Sequence, residues 1–435
     1  MSPEMIGVLG IVLLLVLFIL KVPVGIALLV VGLVGTGIIR GWDIALLQLG
    51  RTPFDTAFSY SLSVIPLFIL MGMVLSYCGL GKDLYRAVDS WVGHMRGGLA
   101  MATIGTASIF SAISGSVNAT TATVAKITLP EMSKYNYKPS LSTACVAAGG
   151  TLGILIPPSV ILILYGILTR ENIGSLLIAG IIPGILQIIL FLITIQILIR
   201  RDPSLAPVRA NVAPLSERLS SLKGVWPIAA LFVISVGGIY AGIFTPTEAA
   251  GVGAAGAFLF ALITRRLNFK TLKASMDDSV RLTAMIFLIL MGANLFSQFL
   301  TISRIPVQVT NYVSSLDLNP YIILFLILIV LFILGLFIEG LSIFVLTLSI
   351  LHPMVTALGF DGIWFGVIMV MVVNIGLLTP PLGVSIFVIK GVARDIPIQT
   401  IFRGVTPMVI AMVICTAILI AFPQLVTFLP DLMRS

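Results

Sequence analysis

Long apolar runs, each close to the length of a bilayer crossing and separated by short polar gaps, fill this chain from Met5 to the C-terminus. A hydrocarbon core about 30 Å thick takes roughly 20 helical residues at a rise of 1.5 Å each. The pattern therefore predicts an all-α polytopic membrane protein. Crossings are expected near Met5 to Leu20, Val24 to Ile39, Phe58 to Leu80, Ser140 to Leu168 and Ser175 to Ile199. A second set is expected near Val225 to Phe244, Glu248 to Ile263, Val280 to Ile302, Ile363 to Val392 and Val405 to Leu429.

Two long segments depart from this pattern. Leu99 to Leu129 has the polar middle Ser111-Ala-Ile-Ser-Gly-Ser-Val-Asn-Ala-Thr-Thr121. Folded there, each arm reaches only about 20 Å, too short to cross, so a re-entrant hairpin is expected. Pro320 to Leu358, with Glu339-Gly340 near its middle, has arms of about 28 Å by the same rise. It is either a second re-entrant hairpin or a tight pair of spans, and returns to its starting side in both cases.

Internal repetition organises these segments. Phe68-Ile-Leu-Met-Gly72 returns as Leu288-Ile-Leu-Met-Gly292, a shift of 220 from 68 to 288. Gly153-Ile-Leu-Ile-Pro-Pro158 returns as Gly376-Leu-Leu-Thr-Pro-Pro381, a shift of 223 from 153 to 376, and Pro23 and Pro246 share that shift. The chain reads as two repeats, 1–223 and 224–435. The first holds hairpin 99–129, broken helix 140–168 and linker 200–223; the second holds hairpin 320–358 and broken helix 363–392. Five crossings per repeat is an odd number, so the repeats are inverted.

Composition agrees, with 59% hydrophobic and 10% charged residues, 17 acidic residues in 435, and a mean hydropathy of +1.17. No soluble domain of this size has such a balance. The net charge of +8 marks topology rather than a nucleic-acid partner, because the positive residues lie in the short gaps. With the N-terminus outside, 19 of the 25 Lys and Arg residues fall in cytoplasmic gaps, among them Arg209, and five fall outside: Arg40, Arg51, Arg170, Arg304 and Arg434. Lys126 remains within the first hairpin. This places both termini on the periplasmic face of a bacterial inner membrane and the first hairpin's base on the cytoplasmic side. Glu4 precedes the first run where a signal peptide has a basic region, so that run is expected to stay as a span.

Chemistry is expected where helices break, since each unpaired backbone group in hydrocarbon costs several kcal/mol unless it lines a polar cavity. In Gly149-Gly-Thr-Leu-Gly-Ile-Leu-Ile-Pro157-Pro158 and Asn374-Ile-Gly-Leu-Leu-Thr-Pro380-Pro381 one helix ends and another begins. Freed carbonyls suit a hard cation, and the next helix start carries about half a positive charge toward an anion. Cys78, Cys145 and Cys415 have no paired spacing, and neither His94 nor His352 has a partner for metal or base chemistry. An intramembrane enzyme would need His-Glu-x-x-His, Gly-x-Gly-Asp or a Ser-His pairing, and the sequence contains none. No enzyme activity and no cofactor are expected.

Over nearly its whole length the chain resembles the large membrane subunit of tripartite ATP-independent periplasmic (TRAP) transporters, within the ion transporter superfamily. The resemblance rests on Pro23-Val-Gly-Ile-Ala-Leu28, Ser111-Ala-Ile-Ser-Gly-Ser116, Gly150-Thr-Leu-Gly-Ile-Leu-Ile-Pro-Pro-Ser159, Phe244-Thr-Pro-Thr-Glu-Ala-Ala-Gly251 and Asn374-Ile-Gly-Leu-Leu-Thr-Pro-Pro-Leu-Gly383. It implies an elevator-type, sodium-coupled importer of a small organic acid such as a C4-dicarboxylate or sialic acid. The substrate arrives on a soluble periplasmic binding protein. A small four-helix membrane subunit is the other implied partner, expected as a separate chain because this one starts with its own first span. A stand-alone sodium/carboxylate symporter of the same superfamily is the alternative.

The family pattern also implies one sodium site at Ser111, Ser114, Gly153, Ile156 and Pro157, and a symmetry mate at Gly335, Ile338, Gly376, Thr379 and Pro380, mostly through carbonyls. By position, Ser116, Asn118, Thr151 and Asn374 offer hydrogen bonds to the substrate between them. Glu339 has two readings, a cation or substrate ligand or a group solvating its turn. Lys126 also has two, a substrate contact or a snorkelling, hairpin-packing residue.

Overall fold

A computed structural model describes residues 1–207, 213–316, 318–381 and 383–434; Arg209 of the linker and Leu382 of the second Pro-Pro motif lie outside them. The first half runs α1 (Pro3–Ile19), α2 (Val24–Arg40), α3 (Trp42–Ala57), α4 (Val64–Tyr77), α5 (Leu80–Val92), α6 (Gly98–Ser114), α7 (Val117–Lys134), α8 (Pro139–Thr151), α9 (Val160–Thr169), α10 (Ile173–Ala179) and α11 (Ile181–Arg201). After α12 (Leu215–Leu222) the second half runs α13 (Trp226–Phe232), α14 (Gly238–Tyr240), α15 (Pro246–Ile263), α16 (Phe269–Ser303) and α17 (Ile305–Ser314). It continues with α18 (Pro320–Phe337), α19 (Gly340–Ala357), α20 (Gly362–Leu378), α21 (Val384–Val392), α22 (Ile398–Ala421) and α23 (Gln424–Arg434).

A single shift of 223 residues relates the halves. Hairpin arms α7 and α19 are both 18 residues long, spanning 117–134 and 340–357. Helices α8 and α20 start at Pro139 and Gly362, and the Pro-Pro pairs follow at 157–158 and 380–381, both joined by cis bonds. The Phe68 and Leu288 motif, at a shift of 220, is three residues out of step with this frame. Packing repeats as well: α2 lies on α16 as α15 lies on α4, and α7 contacts α21 as α19 contacts α9.

The fold is thus an all-α membrane protein of two inverted repeats, each with a helical hairpin and a broken helix. Among the described residues, seven helical segments are long and apolar enough to cross alone, including both arms of the second hairpin. Helices α1 and α2, at 17 residues each, fall just short of that length. The first hairpin's arms have 17 and 18 residues, about 26 Å each rather than 20 Å, because α6 runs into the polar middle as far as Ser114 and α7 runs on to Lys134.

Other differences lie where amphipathic helices hid between apolar runs. Helices α3, α5 and α17 and the polar first turns of α16 carry no continuous apolar run, so hydropathy passed over them. The last crossing, expected at Val405 to Leu429, is α22 alone; the chain breaks at Phe422-Pro423 and α23 follows separately. Arm helix α5 packs on α6 and α7, while α17 packs on α19, so each arm joins a hairpin to the helix before it. Asp83 of α5 is ion-paired to Arg266, which also donates to the Cys78 carbonyl at 3.4 Å.

Candidate functional site

Both hairpin tips and both broken helices meet at one cavity of about 200 Å³. The tips contribute Ser114 to Ala119 and Glu339 to Leu341. The breaks contribute Ile154, Val160, Ile161, Leu377 and Ser385, and α4 and α16 close the remaining side with Ile69, Met73, Leu282, Met285 and Ile286. Four helices begin in this wall: α7 at Val117, α9 at Val160, α19 at Gly340 and α21 at Val384, beside Ser385. Side chains cap two of them. Ser116 Oγ accepts from the Ala119 amide at 3.5 Å, and Ser159 Oγ accepts from the Leu162 amide at 3.2 Å while donating to the Ile154 carbonyl at 2.6 Å. Among the described residues, the only ionisable side chain in the wall is Glu339, itself the residue before α19.

The first set of predicted cation ligands is assembled. Gly115 turns the tip in the left-handed region at φ 58°, and a Cβ there would stand 2.7 Å from the Pro158 carbonyl oxygen. Gly153 faces the backbone of Ser116 and Val117, where a Cβ would come within 3.1 Å. Ser114 Oγ shares a 2.7 Å hydrogen bond with Thr120 Oγ1 and lies 3.4 Å from the Ser116 carbonyl. Ser111 is fully buried and its hydroxyl has no protein partner, which is unusual for a buried polar atom. Ile156 turns its side chain onto Gly184 of α11, so it offers this site only backbone. Pro157 precedes the cis bond. These are oxygen donors without a carboxylate, a set suited to a hard monovalent cation.

The second set comes together more tightly. A Cβ on Gly376 would lie 2.7 Å from the Cα and carbonyl carbon of Gly335, so α18 and α20 touch through backbone. Ile338 ends α18 in extended conformation with its amide donating to the Leu334 carbonyl at 2.9 Å. Thr379 turns its hydroxyl back to the Ile375 carbonyl at 2.6 Å and its amide to that of Gly376 at 3.1 Å; Pro380 then leads the cis bond.

Of the four residues placed by position for substrate, Ser116 and Asn118 line the cavity. Thr151 and Asn374 are instead buried behind it and bond each other, Asn374 Nδ2 donating to the Thr151 carbonyl at 3.3 Å. They are 223 residues apart, so this contact joins equivalent positions of the two repeats. Asn374 Oδ1 has no protein partner. Sequence reasoning passed over Thr120, Ser342 and Ser385. The hydroxyls of Ser342 and Ser385 are buried and unpartnered, and Ser385 lies two residues past the Gly383 that ends its motif. Among the described residues no group of three or more His, Cys, Asp or Glu side chains is placed to hold a metal.

Residues 11–425 match the family model of the tripartite ATP-independent periplasmic transporter, DctM component. The C4-dicarboxylate TRAP transporter large permease protein DctM of Pseudomonas aeruginosa is 34% identical over 87% of this chain and 86% of its own. The sialic acid TRAP transporter large permease protein SiaM of Vibrio cholerae is 31% identical, covering 86% and 87% respectively. The ectoine TRAP transporter large permease protein TeaC of Halomonas elongata is 32% identical, covering 86% of both. In fold, the chain matches the crystal structure of the Alcanivorax borkumensis YdaH transporter with a TM-score of 0.65 at 14% identity, over 98% of this chain and all of that one.

Proposed function

Because the chain belongs to the family of the DctM component of tripartite ATP-independent periplasmic transporters, we propose that it carries a small organic acid inward, coupled to sodium. The carrying observation is the convergence of four helix starts on one cavity whose described wall holds no cationic side chain. Each start presents free amides and about half a positive charge, a setting for a carboxylate. The oxygen-lined contacts behind the tips, Ser111 and Ser114 with Gly153 and Gly335 with Gly376, are the proposed cation sites. Three relatives are named for a C4-dicarboxylate, sialic acid and ectoine, and all three compounds carry carboxylates.

The proposed motion is an elevator. Hairpins α6–α7 and α18–α19, with α8–α9 and α20–α21, move as one body past α2, α4, α15 and α16, and arms α5 and α17 flex between. In this reading the chain is a multi-pass inner-membrane protein with periplasmic termini. It works with a periplasmic binding protein and a small four-helix membrane subunit. Proteoliposome uptake tests it. Uptake of a carboxylate should require a sodium gradient, the small subunit and loaded binding protein together; uptake of free substrate with sodium alone would favour the stand-alone symporter.

A further inference from the structure

The two hairpins are equivalent in length but not in surface. Along α7 a stripe at every fourth residue, Asn118, Ala122, Lys126 and Pro130, leads from the cavity wall to the hairpin base; Asn118, Lys126 and Pro130 are exposed and Ala122 half-buried. The equivalent α19 residues 223 positions on are Leu341, Val345, Ser349 and Pro353. Leu341 and Val345 are buried, and Ser349 donates to Ser297 of α16 at 3.1 Å. Ser349 is half-buried and Pro353 is exposed like Pro130, so the arms differ over the three turns nearest the cavity.

The open stripe does not suit lipid. It presents an amide, a single methyl group, an ammonium and a proline ring, whereas the exposed stripe of α11 reads Ile185, Ile189, Ile193, Ile197. Helix α7, as long as α19, is not apolar enough to cross a bilayer, whereas α19 is. Its other faces are occupied: Thr123 and Ile127 meet the α5 residue Gly81, and Thr121 meets Gly150 of α8. Lys126 lies eight residues from Asn118, about 12 Å along the helix. It makes no ion pair among the described residues, while Glu131 is paired to Lys134 at 2.7 Å. The stripe's one unbalanced charge is therefore positive, and the residue one turn before it is a small alanine.

We propose that this α7 stripe walls an aqueous path by which the anion leaves the cavity toward the cytoplasm, with Lys126 as its cationic waypoint. The inference rests on the anion-carrier reading and on the orientation proposed with it. It is tested without transport, in vesicles carrying the full chain with its small subunit. An Ala122→Cys variant, which adds one sulfur atom at a half-buried site, is reacted with two membrane-impermeant methanethiosulfonates of similar size, one anionic (sulfonatoethyl) and one cationic (trimethylammonioethyl). Cys78, Cys145 and Cys415 are buried, and labelling of the parent complex is subtracted as the blank.

Ala122→Cys should react in inside-out but not right-side-out vesicles. Adding Lys126→Gln should lower the anionic-to-cationic rate ratio about three- to tenfold, the effect of one charge some 6 Å away in salt water. Lys126→Arg should keep it. Reaction no faster than at an Ile193→Cys control on the all-apolar α11 stripe, reaction from the opposite side, or a ratio indifferent to Lys126→Gln would overturn the proposal. Labelling needs neither sodium nor a known substrate, so failure to find uptake leaves this result standing, and the reverse holds.

Discussion

Replacing Gly376 with alanine tests whether the second hairpin's contact with its broken helix is the frame of a cation site. The new Cβ would stand 2.7 Å from Gly335 Cα and carbonyl carbon, against 3.4 Å where ordinary contact begins, so α18 and α20 must part by about 0.7 Å. Neither neighbour can swing aside, since both are backbone. Overpacking of this kind costs about 1–3 kcal/mol, and the gain from replacing a helical glycine returns up to about 1 kcal/mol. With the full gain counted, a net loss of up to roughly 2 kcal/mol remains. Ligand distances in a cation cage tolerate about 0.2 Å, so the sodium concentration for half-maximal uptake should rise more than about tenfold.

Two companions calibrate the result. At Gly153 a Cβ would meet Ser116 at 3.1 Å, a deficit of about 0.3 Å, so Gly153→Ala should have the milder form of the same defect. Nothing lies within 4 Å of a Cβ on Gly251, in mid-α15, so Gly251→Ala should be neutral or stabilising by up to about 1 kcal/mol. The assays are thermal midpoints of the detergent-solubilised chain and sodium titrations of uptake. Equal sodium dependence in Gly376→Ala and Gly251→Ala would refute the reasoning.

Ser114→Ala removes the hydroxyl that joins Thr120 across the first tip, and should raise the sodium concentration for half-maximal uptake; an unchanged titration would remove Ser114 from the ligand set. Asn374→Leu deletes the buried bond between equivalent points of the two repeats and leaves the Thr151 carbonyl short of a donor. It should cost about 1–3 kcal/mol, read as a lower midpoint at every sodium concentration. In the loop after α11, bonds from Ser204 and then Lys138 hold the Asp202 carboxyl below the usual carboxylate range. That contribution is present above the unfolded value and is lost as pH falls through the folded one. Asp202→Asn should therefore lower the midpoint at neutral pH and make no difference in strong acid.

Apolar runs, Pro-Pro breaks and the repeat shift were legible because each is a local property of the chain. The boundary of α7 was not, because Leu129-Pro130 reads as a stop, yet proline is carried inside this helix at Pro130 and inside α19 at Pro353. The arm helices escaped because an amphipathic helix buries one face only and shows no long apolar run. Within the site, Ser111 and Ser114 stood in a recognisable motif. Ser342 and Ser385 are ordinary serines in apolar stretches, and only the fold shows that both hydroxyls are buried without a partner and that Ser385 lines the cavity. Thr151 and Asn374 were assigned from their closeness in sequence to the breaks; that they bond each other across the repeats is a long-range contact no local pattern shows.

The charge balance of the cavity bears on why the proposed anion would need a cation beside it. Four helix starts at about half a charge each supply at most about two positive charges, and less where Ser116 and Ser159 already occupy amides. Glu339 in the same wall opposes one of these when ionised. What is left is roughly enough for one carboxylate and too little for two. A dicarboxylate settling between the tips would then carry uncompensated negative charge, and Coulomb repulsion in a partly dehydrated cavity is several times stronger than in water. Cations held by neutral oxygens just behind the tips would remove that deficit without placing a lysine or arginine in the wall. A fixed cationic side chain would hold the anion in both orientations of the carrier. A cation that arrives and leaves with the substrate does not, and it makes binding depend on the ion gradient.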